Sequence, residues 1–130
     1  LVVRYLSDEW IAAVARNLAA DSAINALASR FSVAVTQLVT ATPFGDVEYH
    51  FVCRDGGLNF GKGAVPSDVT FTQNYDTAVA VATGQANAAE AFINGQVRFS
   101  GDHQKVIDAQ PLFAALDAVF ANVRETTEYR

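Results

Sequence analysis

An orderly change of hydrophobic period along the chain constrains its fold more than any other feature. Trp10, Ile11, Val14 and Leu18, then Ile24 and Leu27, recur at helical spacing. Phe31, Val33 and Val35 next alternate with Ser32, Ala34 and Thr36, and Val47, Tyr49, Phe51 and Cys53 alternate with Glu48, His50, Val52 and Arg54. A period of two marks strands with one buried and one polar face. Two further strands are expected over residues 58–65 and 69–73 and another over 97–100, with helices between and after them. Sheets with one wet face are antiparallel or mixed, and the helices supply the cover, so the pattern predicts an α+β layer of five strands. The long helical link before residue 97 allows the fourth and fifth strands to run parallel, which would make the sheet mixed.

Local signals set the boundaries. Ser7 precedes Asp8 and Glu9, an N-cap followed by acids where the helix dipole favours them, and Asp21-Ser22 interrupts the first helical run. Thr42-Pro43-Phe44-Gly45-Asp46 and Asp55-Gly56-Gly57 read as turns. Gly61 and Gly63 suggest a bulge, a bend or an edge strand, and Pro66-Ser67 ends it. Asn74 or Asp76 caps a short helix that stops before Gly84. Asn87 and Glu90 have capping-box spacing, and Asn94-Gly95 closes that helix. Gly101-Asp102 leads into the last helical region, which Pro111 divides. Leu112, Phe113, Leu116, Val119, Phe120 and Val123 then form one stripe, followed by a polar tail.

Composition bounds the function. At 130 residues, one domain spanning the chain is expected, and 51% hydrophobic against 18% charged residues excludes a disordered segment. A net charge of −5 argues against nucleic-acid partners. No apolar run approaches the ~20 residues of a membrane span. No charged and apolar leader opens the chain, so the expected placement is cytoplasmic. The alanine-rich composition and the excess of arginine over lysine suit a GC-rich bacterial genome.

No catalytic or metal constellation emerges. His50 lies on a polar strand face and His103 in a first helical turn, so both read as exposed, and neither has a metal-ligand spacing with Cys53. Cys53 falls on an inward face as a small core residue without an identifiable base. Asp76, Glu90 and Asp102 stand where capping calls for a carboxylate. Gly61-Lys62-Gly63 is a hairpin feature and not a phosphate loop. Nine phenylalanines, four tyrosines and one tryptophan face alanine-rich helices. Large aromatics against alanines can pack tightly, or they can leave an apolar cavity for a lipid-like ligand; composition leaves both open.

Ser67-Asp68-Val69-Thr70-Phe71-Thr72, then Thr83-Gly84, the stretch from Asn87 to Phe92, and Gly95-Gln96-Val97-Arg98-Phe99-Ser100-Gly101-Asp102 occur in one order. That set resembles the sterol carrier protein 2 family, over roughly residues 35–113. The resemblance implies a mixed five-stranded sheet covered on one face by helices, with an apolar tunnel between the layers. It implies binding or transfer of sterols, fatty acids, acyl-CoAs or other lipids, with no catalytic residue of its own; no metal or cofactor is expected. Phe92 and Ile93 match the family's Ala-Phe helix, and Val106 and Ile107 the start of its closing helix. Asp108, Gln110, Pro111 and the long final helix depart from the family pattern.

The expected pocket residues are Trp10, Val33, Phe51, Phe71, Phe92, Phe99, Leu112, Phe113, Leu116 and Phe120. Arg98 falls on the outer face and is not among them. The leading expectation is a non-catalytic lipid carrier. The alternative is a dimerisation or accessory module with a closed tunnel. An enzyme acting on a steroid or acyl thioester ranks last, because it needs an inward-facing perturbed acid or histidine.

Overall fold

The computed structural model describes residues 3–54, 57–86, 88–124 and 127–128; for residues 88, 89, 92, 117 and 121 only the backbone is described. The elements run β1 (Val3–Arg4), α1 (Asp8–Ala20), α2 (Ser22–Ala28), β2 (Val33–Thr40), β3 (Val47–Arg54), β4 (Gly57–Lys62), β5 (Val69–Asn74), α3 (Tyr75–Ala82), α4 (Ala88–Ile93), β6 (Val97–Gly101), α5 (His103–Asp108), α6 (Gln110–Arg124) and β7 (Thr127–Glu128). The main sheet has five strands in the order β4-β3-β2-β5-β6, and it is mixed. Its helices lie on one face, as the alternation requires.

The caps decide where helices begin. Ser7 Oγ accepts from the Trp10 amide at 3.1 Å, and Asp21 Oδ1 accepts from the Ile24 amide at 3.0 Å. Asn74, not Asp76, caps α3 by accepting from the Thr77 amide at 2.8 Å. Asp102 Oδ1 accepts from the Gln104 and Lys105 amides and starts α5. The break at Ala109 places Pro111 in the first turn of α6, where its missing amide hydrogen costs nothing. The turn over Asp55 and Gly56 and the Asn87 cap lie outside the described residues.

Three expectations need correction. The parallel pair is β2 with β5, while β5 and β6 are antiparallel, with Phe71 opposite Phe99. The third main-sheet strand ends at Lys62 rather than continuing to residue 65, because Gly63, at φ +91°, turns the chain away. β2 starts at Val33 and continues to Thr40, leaving Phe31 outside the strand. Both changes of course serve one geometry. Residues 63–68 cross the polar face of the sheet as a strap, carrying the chain from the β4 edge to the far side of β2.

Side chains of that face tie the strap down. His50 Nδ1 lies 2.8 Å from the Gly63 carbonyl oxygen, so His50 is half-buried rather than exposed. Thr36 Oγ1 lies 2.6 Å from Ser67 Oγ and accepts from the Val65 amide at 3.4 Å. Thr36 is 3% exposed although it faces away from the helices. The polar face is thus covered over its centre by backbone that finds hydrogen bonds there.

The residues expected to form a polar tail contribute a small second sheet. β1 and β7 pair in parallel, Val3 with Thr127 and Arg4 with Glu128. The helix-facing side carries the core: Val14, Val33, Val35, Val39, Cys53 and Leu112 are all fully buried. α1 packs on β4, α3 on β5 and β2, and α4 on β6, while α6 touches α1, α2, α3 and α5.

Candidate ligand-binding site

The expected pocket residues separate into three groups. Val33, Leu112 and Leu116 are sealed core at 0%, 0% and 2% exposure. Trp10 and Phe120 belong to an aromatic cluster under α1. Their rings stack 6.0 Å apart, and Tyr5, Tyr49 and Phe60 meet Trp10 at centroid distances of 5.0, 5.6 and 6.2 Å. Phe51, Phe113, Phe71 and Phe99 form a separate row. Successive centroids lie 5.7, 6.3 and 5.7 Å apart, and the His103 ring lies 4.2 Å from Phe99. The side chain of Phe92 lies outside the described residues.

The row follows from register. Phe71 and Phe99 are cross-strand partners, so both point to the helix side. Phe113 descends from the first half of α6 and bridges Phe51 to Phe71. Phe71, Phe99 and Phe113 are only half-buried, whereas Phe51 is buried. The cover is fullest over β2 and β3 and thins towards both edges, at Leu58 and Phe60 of β4 and at Phe71 and Phe99 of β5 and β6. Ile93 on α4 and Ile107 on α5 are 79% and 65% exposed.

One carboxylate holds this end of the sheet in place. Asp68 Oδ2 accepts from the Ala34 amide at 2.9 Å and lies 3.4 Å from Lys105 Nζ. The Asp68 carbonyl oxygen accepts from the Asp102 amide at 2.9 Å. The Ala34 bond foremost, with the Lys105 cation beside it, holds the Asp68 carboxyl below its ordinary range. Gly101, at φ +120°, passes so close to Asp68 that a Cβ there would overlap the Asp68 carbonyl oxygen. Asp68, Gly101 and Asp102 thus join β2, β5, β6 and α5 at one point.

Two residues the sequence reading did not single out lie beside the row. Gln37 is opposite both Tyr49 and Phe71, and Gln73 is opposite Val39 and Val97, all on the helix-facing side. Gln73 Nε2 donates to Gln37 Oε1 at 3.3 Å. The signal was present: counting by two from Val35 reaches Gln37, and from Phe71 reaches Gln73.

Among the described residues no three His, Cys, Asp or Glu gather as a metal site. Burial pushes the Cys53 thiol up to about 11, which makes a poor nucleophile. The perturbed carboxylate, Asp68, is spent on a backbone amide and a lysine. Two open clefts of mixed lining are found among the described residues. One of about 230 Å³ lies between Arg30, Phe31, Val33 and Lys105, and one of about 390 Å³ lies at the ends of β5 and β6, bordered by Gln73 and Arg98. Arg98 is exposed, as its register predicts. Among the described residues, no helix is long and apolar enough to cross a membrane.

The sequence pattern of the SCP-2 sterol transfer family matches residues 9–114. This chain belongs to that family. Members bind or transfer lipid-like ligands. A crystal structure of sterol carrier protein 2 is 18% identical and superposes with a TM-score of 0.69, covering 95% of this chain and 99% of that one. A conserved hypothetical protein from Thermus thermophilus is 19% identical with a TM-score of 0.66, covering 97% and 92%. The ubiquinone synthesis protein UbiJ-SCP2 is 15% identical with a TM-score of 0.55, covering 88% of each chain. No curated protein matches the sequence. The superpositions agree with the mixed five-stranded sheet and one-sided helical cover of this chain.

Proposed function

We propose that this chain is a non-catalytic carrier that holds one lipid-like molecule on the helix-facing side of β5 and β6. The ligand class is a sterol, a fatty acid or a fatty acyl thioester. The observation that carries the reading is the half-buried row Phe71, Phe99 and Phe113, apolar surface the fold has gathered and not closed. Phe51 extends that row through Phe113, while Val33, Leu112 and Leu116 lie sealed in the core and Trp10 and Phe120 belong to the separate cluster under α1. The α4 helix that carries Phe92 flanks it on the β6 side. Each buried methylene of a ligand contributes about 0.8 kcal/mol. A chain of about sixteen carbons therefore gives micromolar or tighter affinity even after the cost of association.

The test is displacement of a fluorescent fatty acid from the wild type and from Phe71→Glu. A carboxylate set in the row should weaken binding at least about tenfold, because a buried, unpaired charge costs several kcal/mol. Circular dichroism and a urea midpoint show whether the variant is folded. Unchanged affinity in a folded Phe71→Glu would overturn the reading. An accessory interaction module is the second reading, favoured by the exposure of Ile93 and Ile107. It expects a stable complex and no lipid uptake.

A further inference from the structure

The amide pair on the apolar side of the sheet has no structural necessity. Val35 and Val39, its neighbours along β2, are fully buried and apolar, as are most positions of that face. A glutamine on a helix-facing position gives up side-chain entropy and hydration, and here two do so on adjacent strands. They recover one mutual bond, from Gln73 Nε2 to Gln37 Oε1. This leaves the Gln37 amide hydrogens and the Gln73 carbonyl oxygen unspent. The Tyr49 hydroxyl, on the residue opposite Gln37, has no partner among the described residues either. Yet no side-chain nitrogen or oxygen of the described residues is both sealed from solvent and unpartnered. The free amide groups and the phenol therefore border accessible space, and Gln37 stands on the central strand, between Tyr49 and Phe71.

We propose that Gln37 and Gln73, with the Tyr49 hydroxyl, form a hydrogen-bonding step in the lipid site that selects ligands carrying an uncharged oxygen or amide group. The inference rests on the lipid reading above and specifies the ligand within it. The set presents donors and an acceptor together, which suits a hydroxyl, a carbonyl or a carboxamide. It does not suit a carboxylate. Lys62, a cation opposite Tyr49 in register, is drawn to Asp8 at 2.9 Å, with both side chains mostly exposed. Lys105 is held by Asp68, and Arg124 donates to the Ala82 carbonyl oxygen. Arg98 borders a cleft with Gln73, but it stands opposite Thr72 and so projects from the outer face of β6, away from the row. Burial keeps the Tyr49 phenol protonated, so it remains a donor.

The test compares three ligands of equal chain length, octadecanol, octadecanamide and octadecanoate, as displacers of one fluorescent fatty acid probe. It uses the wild type and the Gln37→Leu/Gln73→Leu double variant. The wild type is expected to prefer the alcohol and the amide over the anion by about tenfold, the worth of one or two buried hydrogen bonds. The double variant should still bind the probe but lose that preference. Should the double variant not fold, Gln37→Asn, which withdraws the amide by one methylene, is expected to reduce the preference in the same direction. A wild type that favours the anion, or variants with unaltered ranking, would overturn the proposal while leaving the lipid site standing. A wild type that binds neither the probe nor, by direct titration, a single one of the three ligands would overturn both.

Discussion

Gly101 offers the sharpest test of how the β5–β6 end is held. Its φ of +120° lies where L residues rarely go, and a Cβ would overlap the Asp68 carbonyl oxygen and lie 3.0 Å from Asp68 C and Val69 Cα. Gly95 is the internal control, because it has φ +78° and nothing within 4 Å of its Cβ position. Gly95→Ala should cost only the backbone strain, roughly 1–2 kcal/mol. Gly101→Ala incurs that strain and must also push β6 away from β5. The bond from the Asp102 amide to the Asp68 carbonyl is then lost, a further ~1–3 kcal/mol. The sum is roughly 2–5 kcal/mol, a large part of the total stability of such a domain. With a urea slope of about 2 kcal/mol per molar, the midpoint should fall by about 1–2.5 M for Gly101→Ala and by about 0.5–1 M for Gly95→Ala. Equal midpoints for the two variants would refute the close-approach argument.

Asp68 makes stability depend on acid. Its carboxyl is held below the ordinary value of about 3.9, so its contribution is complete above that pH and is lost as pH falls towards the folded value. Between pH 5 and pH 2 the wild-type melting temperature should fall more steeply than that of Asp68→Asn; parallel curves would contradict the role of the Ala34 amide and Lys105. Cys53 is 0% exposed with its thiol pushed up to about 11, so a thiol reagent at pH 8 should label it at the rate of unfolding. Rapid labelling in native buffer would contradict its placement.

Much of the layer was legible because its signals are local. The Ser7 cap and the 3.6 period mark α1 at Asp8–Ala20, the span observed. Alternation placed Tyr49, Phe51, Phe71 and Phe99 on one side of the sheet, since a period of two settles facing. Strand partners were not legible. The β2–β5 pairing depends on where residues 63–68 travel, and that course is set by Thr36 and His50, contacts distant in sequence. β1 and β7 have two residues each, too few to show a period.

The site was partly legible for the same reason. Facing grouped ten residues, but it could not separate the Trp10 cluster from the Phe71 row, because that division depends on where α1 and α6 cross the sheet. Gln37 and Gln73 were visible as breaks in the apolar count. Their significance appears only when β2 and β5 lie side by side.

The central claim is that the aromatic row holds a lipid, and the direct measurement is the mass of the purified, undenatured protein. Native mass spectrometry before and after organic extraction, with an unrelated protein purified alongside, reports any bound species and its stoichiometry. The account predicts one apolar molecule per chain, removed by extraction and restored by adding lipid. A bare polypeptide mass that stays unchanged when fatty acid, fatty alcohol or sterol is supplied would contradict it.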